Sequence, residues 1–200
     1  MRRRDAADRG AVALVPLDDA VLEDLLAVAV RDADPEDTMP PVPGPPGWTT
    51  ERRDAFRRYH RARYPGLGAD EATYAVTDAT GRVAGAARLR RVEGRPGAVE
   101  TGIWLGRSYR GRGVGTAALS ALVATAARTG ATVLVADTTA GNAGALAALR
   151  RNGAALRPDP ASDRVDAELR LPAPPPQEPR PQSRDTGRPR PDGVAGGSPA

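Results

Sequence analysis

Residues 99–118 read VETGIWLGRSYRGRGVGTAA, and this stretch decides the fold. Its first half alternates, with Val99, Thr101, Ile103 and Leu105 on one face of a strand and Glu100, Gly102 and Trp104 on the other. An Ala/Leu-rich helix starts at Gly113 and runs to Thr129. Between the two, Arg110, Gly111, Arg112, Gly113, Val114, Gly115 and Thr116 have the composition of an anion cradle. Glycines let the main chain approach a phosphate with no Cβ in the way, and the unpaired N–H groups of the first helical turn point along the positive end of the dipole. Arg110 and Arg112 add mobile charge at the rim. Three alternating glycines flanked by these arginines exceed what a plain strand-to-helix turn requires.

Spacing narrows the ligand. A dinucleotide loop, G-x-G-x-x-G, counted from Gly111 through Gly113, meets Thr116 where the third glycine belongs. A Walker loop ends in G-K-[ST], and the chain has no lysine. A nucleotide-binding α/β domain therefore stays only as a distant alternative. The segment resembles the R/Q-x-x-G-x-G/A signature of the acyl-CoA-dependent N-acetyltransferases of the GNAT superfamily, with Arg110, Gly113 and Gly115 at the fixed positions. Residues 132–137 then read as a near-continuous apolar strand, as a buried strand should. Asn142, Ala145, Leu149 and Gly153 follow it, and resemble the superfamily's later motif, N-x-x-[SA]-x-x-x-L-x-x-x-G. The run Gly102 to Gly106, ahead of Tyr109, Arg110 and Gly111, is similar to the branch containing the ribosomal-protein alanine N-acetyltransferases.

Outward from this centre, strand and helix signals alternate. Residues 11–17 are β-rich, and Asp18 or Asp19 caps a helix through about Val30. Six prolines in residues 34–48 read as a loop without regular structure. An Arg-rich helix starts after Thr50 and ends near Tyr64, before Pro65 and Gly66. Residues 73–78 and 83–91 form a hairpin, residues 142–152 a helix stopped by Gly153, and residues 165–171 the last strand. The order β-α-α-β-β-β-α-β-α-β is that of an α/β (α+β) domain. The resemblance implies a GNAT fold over residues 11–171: a mixed, mostly antiparallel central sheet flanked by helices, with splayed strands binding CoA. Residues 1–10 are expected to be flexible, and the Pro/Gly/Arg-rich tail, residues 172–200, to be disordered.

Composition removes other chemistries. All 29 basic residues are arginine, and with 25 acids they leave a net charge of +4, too weak a field to mark a nucleic-acid binder. There is no cysteine, hence no thiolate-ligated zinc or Cys nucleophile, and the single histidine, His60, cannot supply both a triad and a His-rich metal site. No metal is expected. No run of about 18 apolar residues or signal-peptide pattern is present, so a cytoplasmic protein without a membrane partner is expected, as a monomer or homodimer.

The resemblance assigns roles. Acetyl-CoA is the implied co-substrate, its pyrophosphate held by Arg110, Gly111, Arg112, Gly113, Val114, Gly115 and Thr116 and its pantetheine arm bonded to the backbone of Leu105. Asn142 either contacts that arm or only caps a helix, and the two roles are compatible. Glu100 is the candidate base or water-positioning carboxylate; the plainer reading is a Glu paired with a nearby Arg. Leu149 stands where many members carry an acidic Tyr, leaving the thiolate to be protonated by water or another hydroxyl. Without Cys, an acetyl-Cys intermediate is impossible, so transfer is direct in a ternary complex. The acceptor is an amine, on a small molecule or a peptide N-terminus. A non-catalytic acyl-CoA-binding module is the alternative. Three further expectations concern the surroundings: a solvated His60, a solvated arginine face over residues 52–63, and an acidic acceptor mouth formed by Asp32, Asp34, Glu36 and Asp37. Trp48 and Trp104 are expected to pack rather than to stack on bases.

Overall fold

The computed structural model describes residues 12–65 and 70–172, so the expectations for residues 1–10 and for nearly all of the tail lie outside the described residues. The elements are β1 (Ala13–Pro16), α1 (Asp19–Asp32), α2 (Thr50–Arg61), β2 (Glu71–Thr77), β3 (Val83–Arg91), β4 (Ala98–Leu105), α3 (Val114–Arg128), β5 (Val133–Thr139), α4 (Ala143–Arg151), β6 (Ala155–Pro158) and β7 (Arg164–Arg170). They build one seven-stranded sheet in the order β1-β2-β3-β4-β5-β7-β6. Every neighbouring pair is antiparallel except β4 and β5.

Local chemistry sets the helix limits. Asp18 accepts from Val21 N–H at 2.8 Å to start α1, Thr49 accepts from Arg52 N–H to start α2, and Asn142 accepts from Ala145 N–H to start α4. Gly153 follows α4 with φ +83°, a left-handed stop that glycine tolerates best. The helices cover the two sheet faces separately. On one side Ala118, Leu119, Leu122 and Ala126 of α3 and Leu149 of α4 pack on Val99, Leu134 and Leu169. On the other, Leu22, Leu25, Leu26 and Ala29 of α1 and Phe56 of α2 pack on Ala75 and Ala86. Burying one such leucine contributes roughly 1.5–3 kcal/mol, so the core draws its stability from many small side chains around a single fully buried phenylalanine.

Two expectations on elements are corrected. β6 was not foreseen: it has four residues, one half-buried apolar side chain, Leu156, and a terminal proline, too little alternation to stand out. Residues 34–48 are not wholly irregular, because Pro35–Asp37 forms one 3-10 turn with proline at its start.

The feature that makes room for a ligand is a divergence of β4 and β5. Their pairing covers only Ala98, Glu100 and the residue between them, opposite Val133, Leu134 and Val135. Beyond Glu100 the strands part. Ala98 O accepts from Val92 N–H and Gly106 N–H donates to Ala84 O, so the even-numbered residues of β4 turn their backbone groups to β3. By the same alternation Thr101, Ile103 and Leu105 turn theirs into the gap.

Candidate active site

The loop after β4 ends in a row of unspent donors. Gly111 and Gly113 have φ of +73° and +82°, and an added Cβ would meet nothing within 4 Å at either, so it is the backbone conformation that calls for glycine. Gly113 is the N-cap of α3 with no side chain capping the helix, and the first backbone bond of the turn is Ala117 N–H to Gly113 O. Among the described residues no acceptor takes the N–H groups of Gly111, Arg112, Gly113, Val114, Gly115 or Thr116. Six consecutive donors at a helix start, with the exposed Arg112 beside them, are chemically suited to an anion. Gly115 is ordinary helix, with the Leu105 side chain 3.6 Å from where its Cβ would be.

Arg110 and Leu105, both expected at this site, are bonded to each other. Arg110 Nε donates to Leu105 O at 3.0 Å, and its other nitrogen stands 3.5 Å from Asp37. The Leu105 carbonyl is therefore occupied, leaving its N–H as the group facing the gap. Across the gap, Asn142 sits at the start of α4 with Oδ1 taken by Ala145 N–H and its amide N–H2 without a partner among the described residues.

On the face toward α2 the sheet register stacks three rows: Ala75, Ala86 and Trp104; Thr73, Arg88 and Gly102; Glu71, Arg90 and Glu100. The last row is an ion network. Glu100 accepts from Arg88 at 2.7 Å through one oxygen and from Arg90 through the other, while Arg88 reaches Glu71 at 3.2 Å. Arg63 Nε stands 2.9 Å from Glu71, without a hydrogen-bonding angle. The paired reading of Glu100 thus describes its contacts, and each oxygen keeps one lone pair for a water or substrate proton.

Above the first two rows lies a cavity of about 310 Å³, roofed by Tyr59 and His60 of α2 and by residues 36–40. His60 is buried, with 2% of its surface exposed, and is not the solvated side chain expected. It packs on Phe56 with ring centroids 4.2 Å apart. Burial, then the Arg63 charge, pushes its pKa down to about 3; the Thr38 backbone opposes this slightly without forming a sound hydrogen bond. Both His60 ring nitrogens, Thr73 Oγ1 and Trp104 Nε1 are buried with no hydrogen-bond partner among the described residues.

The profile of the acetyltransferase (GNAT) domain matches residues 12–155. The chain belongs to the GNAT acetyltransferase family. The solved structures it resembles include the GNAT domain of S. lividans PAT, at 19% identity and TM-score 0.61, over 81% of this chain and 90% of that one. Another is RimL, a ribosomal L7/L12 alpha-N-protein acetyltransferase in complex with coenzyme A, at 18% identity and TM-score 0.60, over 80% and 94%. A putative phosphinothricin N-acetyltransferase aligns at 20% identity and TM-score 0.54, over 80% and 98%. No curated protein matches. These likenesses establish the fold, and the family establishes acetyl transfer as the general activity.

Within this acetyltransferase the surroundings of the site differ from expectation in two ways. The arginine face is not simply solvated. Arg52 is buried and bonds Val42 O and Gly47 O, tying down the proline-rich connection, while Arg57 and Arg61 hold Glu23 and Asp19 of α1. The acids expected to form an open mouth have partners as well. Asp32 accepts from Ser108 N–H at 3.0 Å and from its hydroxyl, which holds the Asp32 carboxyl below its ordinary range. Asp34 pairs with Arg107, Glu36 with Arg52 and Asp37 with Arg110, so the run clamps the α1–α2 connection onto the loop before the glycines. Trp48 packs on Phe56 and donates to Ala33 O at 2.9 Å. Sequence reasoning missed the cavity, whose members come from five distant segments. It also missed Asn152, which donates to Thr116 O and accepts from Ser120, latching α4 to α3 just behind the cradle.

Proposed function

We propose that this protein transfers the acetyl group of acetyl-CoA to a primary amine by direct attack in a ternary complex. The observation that carries the reading is the row of six unspent N–H donors at residues 111–116, next to a gap edged by unpaired strand backbone. A pyrophosphate fits such a row. An extended amide-bearing arm fits the gap, where the Leu105 N–H and the Asn142 amide are available donors. Acetyl-CoA supplies an activated thioester, so no protein nucleophile is required.

The protein's own part is to position and to move protons. An alkylamine with a pKa near ~10 must lose a proton before it attacks. Glu100 is the residue assigned to that relay, through the lone pair each oxygen retains beside Arg88 and Arg90. Leu149 is buried in the core and offers no acid, so the departing thiolate takes its proton from water or from another hydroxyl. That absence supports a second reading, a non-catalytic acyl-CoA-binding module.

Calorimetric titration with acetyl-CoA, against NAD and ATP, tests the first half. Selective micromolar binding is expected, and no binding overturns the acetyl-CoA assignment. Thiol release over an amine panel tests the second half, and binding without release for any amine leaves the sensing module in its place.

A further inference from the structure

The glycines that shape the donor row leave the start of α3 weak on its own. Among the described residues no side chain caps the helix at Gly113, Gly115 occupies its second position, and glycine is, after proline, the least favourable residue in a helix. An uncapped, glycine-rich first turn frays unless something outside the helix holds it. Apolar contacts supply part of that hold, since Val114 is buried and the Leu105 side chain approaches Gly115.

The polar part comes from the far end of α4. Asn152 Nδ2 donates across to Thr116 O at 3.2 Å and within its own helix to Ala148 O at 2.9 Å, while Ser120 Oγ donates to Asn152 Oδ1 at 2.7 Å. Both amide hydrogens and one carbonyl lone pair are thus committed inside the protein, in a triangle of Thr116, Ser120 and Asn152. None of this is needed to stop α4. Gly153 N–H donates to Arg150 O and Ala154 N–H to Leu149 O, and the left-handed residue is Gly153. Asn152 itself has φ −88°, so the usual reason for asparagine at a helix end, tolerance of the left-handed region, does not apply. What the asparagine side chain adds here is its attachment to α3.

We propose that Asn152 is a positioning residue for acetyl-CoA: by holding Thr116, the last residue of the donor row, it keeps the N–H groups of residues 111–116 aimed before the ligand arrives. The proposal rests on the acetyl-transfer reading. Donors already fixed in place need no ordering on binding, and that saving appears as affinity. The same bond ties α4 to α3, so Asn142, at the opposite end of that nine-residue helix, keeps its place relative to the row.

Two readouts separate this role from a plain contact between helices. The first is amide hydrogen exchange of the ligand-free full chain, compared between the natural protein and Asn152→Ala. Amides 117–120, the first to be bonded within α3, are expected to lose about fivefold in protection, with those of residues 122–127 unchanged. Equal loss along the whole of α3, or none, overturns the proposal. The second is calorimetric titration with acetyl-CoA, in which Asn152→Ala is expected to bind about fivefold more weakly. Ser120→Ala removes one side of the triangle while placing a better helix former in α3. It is therefore expected to weaken binding about twofold with no fall in melting temperature, and to change nothing further in the Asn152→Ala background. Natural affinity in a folded Asn152→Ala protein overturns the proposal. Should that variant not fold, Ser120→Ala decides alone, and unchanged affinity there overturns it. A natural chain that binds no acetyl-CoA, with the loss of protection still confined to residues 117–120, overturns the acetyl-CoA reading and leaves the hold on the helix start standing.

Discussion

Arg110 Nε donates to Leu105 O at 3.0 Å, so the first arginine of the glycine loop is tied to the last residue of β4. A single side chain thereby fixes where the strand's divergent edge ends and where the donor row begins. Arg112, two residues on, is exposed and makes no ion pair among the described residues. The two arginines of one motif act differently: one shapes the cradle and the other only adds charge beside it.

Their removal should therefore have different signatures. Arg110→Ala is expected to weaken acetyl-CoA binding about tenfold at any ionic strength, because it releases the loop as well as a charge. Arg112→Ala should weaken it about threefold at low salt and hardly at all at high salt, where screening has already removed the rim charge. Calorimetric titrations of both variants at two ionic strengths decide the matter; equal salt dependence for both contradicts the division of labour.

Gly113 tests the cradle itself. Its φ of +82° lies where a side chain adds roughly 1–2 kcal/mol of strain, although open space surrounds the missing Cβ. Gly113→Ala should lower the melting temperature modestly and weaken acetyl-CoA binding. Gly113→Glu should abolish binding, since it sets bulk and negative charge against the phosphates. Retained affinity in the folded Glu variant would mean that the phosphates lie elsewhere.

The sequence was most legible where local chemistry decides structure. Glycine spacing at residues 111–115, the Asn142 cap and the Gly153 stop each act within a few residues, and the elements around them fall where expected. Alternation likewise placed Glu100, Gly102 and Trp104 on one face of β4. The environment of His60 could not be read this way. Arginine-rich neighbours in the chain suggest a wet helix, but Phe56 and His60 recur at four-residue spacing and form the face that α2 buries. The pairing of the acidic run was equally illegible, because Arg107 and Arg110 lie more than seventy positions beyond Asp34 and Asp37 and meet them only through the fold.

Glu100→Gln separates a proton relay from a purely structural ion pair. The amide keeps the shape and one acceptor oxygen beside Arg88 and Arg90 while losing the charge. As a relay, Glu100 should be worth at least tenfold in kcat, with acetyl-CoA affinity unchanged. Full kcat across the pH profile, accompanied only by a lower melting temperature, would assign Glu100 to the ion network alone.

His60 gives the fold a pH dependence whose sign can be worked out. Its pKa in the folded protein is about 3, against an unfolded value near ~6.5, so below ~6.5 the unfolded chain binds the extra proton. The stabilisation is full above that value and declines as pH falls toward 3. Between pH 7 and pH 5 this amounts to about 2 kcal/mol. Carboxylates held low in the fold, such as Asp32 by Ser108 and Glu23 by Arg57, lose their contribution only below ~4, so the two effects occupy different windows. Urea midpoints of the natural protein should fall from pH 7 to pH 5, while those of His60→Phe should stay nearly level across the same range. Parallel curves for the two proteins would show that a charged His60 is accommodated in the fold.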